Sequence, residues 1–142
     1  MDPFSVTAGI AGLLSLSLQI QQIVAKYIES AKNAPQEAQA LAVKLTALIS
    51  VLEQLERFLE KHAGGGHFTE SSVLYSTTKQ CEGSLQQLYK TLSKFVSATS
   101  SDSISWRRYL RWPLTKEKHQ QTVSVLHEYL EIFDLSMSMD GL

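Results

Sequence analysis

The sequence predicts an all-α fold: an up-down four-helix bundle with an additional short helix before the last long helix. Three observations carry this reading. Apolar residues recur at alternating spacings of three and four along four long stretches, the pattern of an amphipathic helix and not the two-residue alternation of a strand. The prolines Pro3, Pro35 and Pro113 stand where a helix can begin or stop. Outside the opening stretch, the glycines gather mainly in the run Gly64 to Gly66, so they separate helices rather than interrupt them.

Asp2 before Pro3 is an N-cap followed by proline at the first helical position, where its missing N–H is not needed. The first helix runs to about Lys32 on a stripe of Val6, Gly9, Leu13, Leu16, Ile20, Ile23 and Tyr27. Asn33 and Pro35 form the next cap and turn. From Ala38 a leucine seam follows: Leu41, Leu45, Leu48, Leu52, Leu55 and Leu59, with Lys44, Glu53, Glu56, Arg57, Glu60 and Lys61 on its flanks. Such a seam requires partner helices. The glycine-rich stretch from Lys61 to His67 ends this second helix.

A third helix begins near Thr69 or Ser71 and buries Leu74, Thr78, Cys81, Leu85, Leu88, Leu92 and Phe95, until the polar run SATSSDS, residues 97–103, breaks it. A short helix or ordered turn around Trp106, Tyr109, Leu110 and Trp112 is stopped by Pro113. Thr115 then caps the last helix, whose inner side is expected to be Val123, Leu126, Leu130, Phe133 and Met137. Glu128, Glu131, Asp134 and Asp140 lie around it.

A chain of 142 residues fits one domain, 1–142, with a hydrophobic core of its own. The lone Cys81 rules out an internal disulfide and suits a reducing compartment, the cytoplasm. A net charge of −1 argues against a surface tuned as a whole for nucleic acid.

Nothing in the pattern nominates a catalyst. His62 and His67 flank the glycine run, and His119 and His127 are not at the four-residue spacing of a helical metal pair, so surface histidines are expected, with no metal and no cofactor. Cys81 falls on an apolar stripe, the place of a small core residue. GGGHFTES lacks the Lys-Ser/Thr ending of a phosphate-binding loop. A serine-nucleophile elbow, a helical zinc motif and an isolated carboxylate pair are also missing.

Two segments stand out. From Phe4 to Ala25 no residue is charged. A secretory signal is not expected, because the chain opens on Asp2 and the stripe continues past Ile28. A conventional membrane span would not be diluted by Ser5, Thr7, Ser15, Ser17, Gln19, Gln21 and Gln22. The segment suits a helix that can be packed in a bundle yet tolerate lipid or a second copy, its small residues Ala8, Gly9, Ala11, Gly12 and Ser15 permitting close approach. The other segment interleaves Arg107, Arg108, Arg111 and Lys116 with Trp106, Tyr109 and Trp112. This combination suits a membrane interface with anionic lipid; equally, the aromatic rings close one end of the bundle while the arginines point into water. No nucleic-acid reading motif accompanies it.

The opening MDPFSVTAGIAGLLSLSLQI, the following IVAKYIESAKNAPQE and the late LRWPLTKEK resemble the fungal N-terminal domain of STAND proteins, the HeLo-like group, across almost the whole chain. The resemblance implies a helical effector module at the N-terminus of a longer protein, joined to a nucleotide-binding NOD-like receptor or another downstream domain. It also implies a part in fungal innate immunity, heterokaryon incompatibility and programmed cell death. Related domains oligomerise and act at membranes through the N-terminal segment, a role that falls here on Phe4, Val6, Ile10, Leu13, Leu14 and Leu18. No catalytic residue is carried over. The expectation is a cell-death execution or signalling domain that is cytoplasmic at rest and moves to the plasma membrane on activation. Its partners would be other copies of itself, membrane lipids and the receptor domains of its own chain. The rival expectation is a non-lytic homotypic adaptor whose opening helix is permanently core.

Overall fold

Residues 3–30, 34–61, 71–99 and 112–140 are described by the computed structural model, and they form four long helices. These are α1 (Pro3–Ser30), α2 (Gln36–Lys61), α3 (Ser71–Thr99) and α4 (Lys116–Asp140). No strand occurs among the described residues, so the chain is all-α. The additional short helix expected around Trp106 to Trp112 falls mostly on residues outside this description, as does the cap expected of Asn33.

Two starts are set by local chemistry. At α2 the Pro35 carbonyl accepts from the Ala38 and Gln39 amides, and Glu37 places a negative charge in the first turn, where the helix dipole favours it. At α4 the Thr115 hydroxyl accepts from the Lys118 amide at 3.1 Å while its carbonyl accepts from His119 at 2.8 Å, the geometry of a threonine N-cap.

The helices pack in a closed ring. α1 lies against α2 and α3, and α4 lies against the same two, more extensively along α2 than along α3. One contact marks each side. Gln21 donates to Thr46 between α1 and α2, and the Lys44 amine meets His127 Nδ1 at 3.1 Å between α2 and α4. Ser84 and Tyr129 share a hydrogen bond of 3.2 Å between α3 and α4, and Gly9 abuts Thr78 between α1 and α3. The directions follow. Gly9 and Thr78 lie near the starts of α1 and α3, so these run parallel. Tyr27 and Trp112, with ring centroids 5.0 Å apart, place the start of α4 where α1 ends. The directions therefore alternate up and down as expected. The neighbours, however, are not simply successive: α2 and α3 stand at opposite corners of the ring.

The core is built from four inward stripes. The α2 seam follows its spacing from Leu41 through Leu45, Leu48 and Leu52 to Leu55, all fully buried, and Leu59 at its end is half-buried. The α3 stripe likewise buries Leu74, Thr78, Cys81, Leu85, Leu88 and Leu92, while the side chain of Phe95 lies outside the described residues. In α1 the inner stripe is Val6, Ile10, Leu13, Ser17, Ile20, Val24 and Tyr27; Gly9, Leu16 and Ile23 are only half-buried. In α4 it is His119, Leu126 and Phe133, each a heptad apart, with Val123, Leu130 and Met137 half-buried beside them. His119 is therefore an inward residue and not the surface histidine expected. Thr115→Ala is expected to lower stability by about 1 kcal/mol in urea unfolding, whereas Thr115→Ser, which keeps the capping oxygen, leaves it unchanged.

Candidate functional site

Helix α1 is the candidate site because its two faces follow different rules. Its inner face is conventional, an apolar stripe held between α2 and α3. Its outer face consists of Ala8, Ala11, Gly12, Ser15, Leu18, Gln19, Gln22 and Ala25, all exposed and none charged, and the first exposed charges are Lys26 and Glu29. Other helices solvate their outer faces with ions, for example Glu53, Arg57 and Glu60 on α2 and Glu128, Glu131 and Asp134 on α4.

By length and composition alone, two helices among the described residues could cross a membrane: Val6–Glu29 and Gln36–Lys61. Of the first window 28% is buried, against 44% of the second, so α1 presents more of its surface outward. At about 1.5 Å per residue the 24-residue stretch is roughly 36 Å long, enough for a hydrocarbon core of about 30 Å.

The residues expected to meet membrane or a second copy divide between the two faces. Val6, Ile10 and Leu13 are in the core, Leu14 is half-buried and Leu18 is 43% exposed. The side chain of Phe4 lies outside the described residues. Only withdrawal of α1 from the bundle would bring the first three to a surface.

Three small residues shape this helix: one lets it pack closely and two weaken it. A Cβ on Gly9 would come within 2.9 Å of Thr78 Cγ2, and that methyl cannot swing away freely because Thr78 Oγ1 donates to the Leu74 carbonyl at 2.6 Å. Gly9 thus permits the close approach of α1 and α3. Gly12 has open space where a Cβ would be, so it costs helix stability with no packing return. Ser17 is fully buried with its hydroxyl unpaired among the described residues, in the middle of an otherwise apolar stripe.

At the other end of α1, Tyr27 stacks obliquely on Trp112, which is half-buried and packed against the core. Burial pushes the Tyr27 phenol above its usual pKa. Trp112 Nε1 and His119 Nδ1 are buried without a partner among the described residues. Lys116 is exposed, and Trp106, Arg107, Arg108 and Arg111 lie outside the description. Trp112 thus belongs to the closed end of the bundle.

Cys81 is completely buried, and loss of hydration pushes its thiol up to about 12, which leaves almost no thiolate at neutral pH. Among the described residues no group of three or more metal-ligating side chains comes together. A surface hydrogen bond from His127 Nε2 to the Glu131 carboxylate, at 2.6 Å, extends the Lys44 contact into a short polar chain across α2 and α4. Lys44 can only donate, so His127 accepts at Nδ1 and donates from Nε2.

The described residues thus form an all-α bundle, one helix of which has an uncharged outer face. The chain is a member of the family described as the N-terminal domain of the pigment biosynthesis cluster protein PigL, whose model matches residues 1–139. No significant match to the chain was found among curated proteins or solved structures.

The two glycines are expected to respond oppositely to alanine. Gly12→Ala raises stability by about 1 kcal/mol, while Gly9→Ala lowers it by about 1–3 kcal/mol through the clash with Thr78. Adding Thr78→Ser to Gly9→Ala removes the methyl and restores most of the loss, as read by thermal unfolding of the single and double variants.

Proposed function

We propose that this domain is a HeLo-like cell-death execution or signalling module, the N-terminal part of a fungal STAND or NOD-like receptor, which oligomerises and engages membrane through α1. The observation that carries the reading is the uncharged outer face of a helix long enough to span a bilayer. The PigL N-terminal family is related to the HeLo-like fungal domains, which supports it. The role is non-enzymatic: the domain rests in the cytoplasm and moves to the plasma membrane when clustered receptors release α1.

The energetics define what release requires. Burial of Val6, Ile10, Leu13, Ile20 and Val24 stabilises the bundle by about 2 kcal/mol per side chain, or about 10 kcal/mol together. That is comparable to the whole stability of a typical domain, about 5–15 kcal/mol, so α1 does not leave for water. Lipid is a different destination, because hydrocarbon is as apolar as the core and the helix satisfies its own backbone there. Withdrawal also bares the α2 and α3 seams, which a second copy can cover. Membrane insertion and self-association are therefore coupled in this mechanism.

A reversible tether tests it. Gln21→Cys and Thr46→Cys place thiols where α1 and α2 already touch, and a cleavable bismaleimide joins them while buried Cys81 stays unmodified. With vesicles of phosphatidylcholine and phosphatidylserine, the untethered protein is expected to release trapped dye with a steeper than linear dependence on concentration. Tethering abolishes the release and cleavage restores it. Equal leakage with and without the tether would overturn the mechanism. Self-association with no leakage in any form would assign the domain to the non-lytic homotypic adaptors instead.

A further inference from the structure

The looser seam of the bundle holds a second feature. Between α3 and α4 lies an open cavity of about 380 Å³, within the range of about 300–1,000 Å³ usual for small-molecule sites. Ser84, whose hydroxyl shares a hydrogen bond with Tyr129, is among its lining residues. Its floor is apolar, formed by the buried Leu88, Leu114 and Leu126, and the half-buried Thr91 of α3 and Thr122 of α4 also line it.

The charged residues of the lining are Lys90 and Lys118, with no carboxylate among them. Because α3 ends and α4 begins at the same end of the bundle, both lysines lie toward that end of the groove. Neither pairs with an acidic side chain among the described residues, and both are exposed. The groove is thus amphipathic along its length, with cations at one end and leucine beneath.

We propose that the α3–α4 groove binds a single-chain anionic amphiphile, its head held by Lys90 and Lys118 and its tail laid over Leu88 and Leu126 toward Ser84. A head without a tail gains only solvent-exposed charge contacts, and a tail without a charged head leaves the lysines unused. The site is separate from the outer face of α1 and does not depend on what that helix does.

The test uses the 142-residue chain and decanoate below its micelle concentration, with decanol and inorganic phosphate as controls, followed by amide chemical shifts. Decanoate is expected to bind saturably and to shift Thr91, Thr122 and Val125 most. The Lys90→Gln, Lys118→Gln double variant, altered only at exposed positions, is expected to weaken decanoate about tenfold and to leave decanol binding within about twofold. Val125→Trp, which fills the groove, abolishes both, and phosphate alone does not saturate. Absence of saturable decanoate binding, shifts concentrated on α1, or equal affinity in the lysine variant would each overturn the proposal.

Discussion

The inner stripe of α1, clasped between α2 and α3, is the contact on which the rest of the molecule depends. α1 joins α2 to α3 on one side of the ring as α4 joins them on the other, and the α1–α3 contact requires that Gly9 carry no side chain against Thr78. Remove α1 and the fully buried α2 leucines face water on one side. The same stripe contains Ser17, whose unpaired hydroxyl weakens it at its middle. The helix is therefore firmly held along its inner stripe and locally less than optimal there, a combination suited to staying in place in water and yielding to an apolar competitor.

That balance distinguishes α1 from α2, the other helix that could cross a bilayer by composition. α2 closes its outer face with Glu53, Arg57 and Glu60, which would have to be dehydrated on insertion. α1 carries glutamines, alanines and serine there. Their dehydration costs less than that of ions, and the small residues let another helix come close. The opposite end of the molecule is fastened differently, with Trp112 laid on Tyr27 and Thr115 capping α4 just beyond. These contacts fasten the C-terminal end of α1 at rest, and they too must part when α1 withdraws.

Much of this was legible from residue spacing, and the exceptions have physical reasons. The α2 seam could be read directly because leucine fills the alternating three- and four-residue positions from Leu41 to Leu55, with Ala38 and Ile49 buried beside them. In α1 the stripe was misplaced by one register onto Gly9, Leu16 and Ile23, because the true inward positions include Ser17, a polar residue that an apolar pattern passes over. His119 was missed on the same ground: it stands a heptad before Leu126 on the inner face of α4, where hydropathy alone does not look for an imidazole. The alternation of helix directions follows from short connectors, but the pairing of neighbours does not, since a repeated heptad stripe fits any adjacent seam. The α3–α4 groove had no sequence signal at all, because it arises from α4 leaning toward α2.

The central claim is that α1 is a core helix at rest and must part from α3 to engage lipid. The distance between spin labels at Gln19→Cys on α1 and Gln86→Cys on α3 addresses it directly, since both positions are exposed and stand at similar heights on parallel neighbours. In solution a single short distance is expected, and on protein bound to anionic vesicles a second, longer population. Vesicle-bound protein that keeps only the short distance would contradict the account.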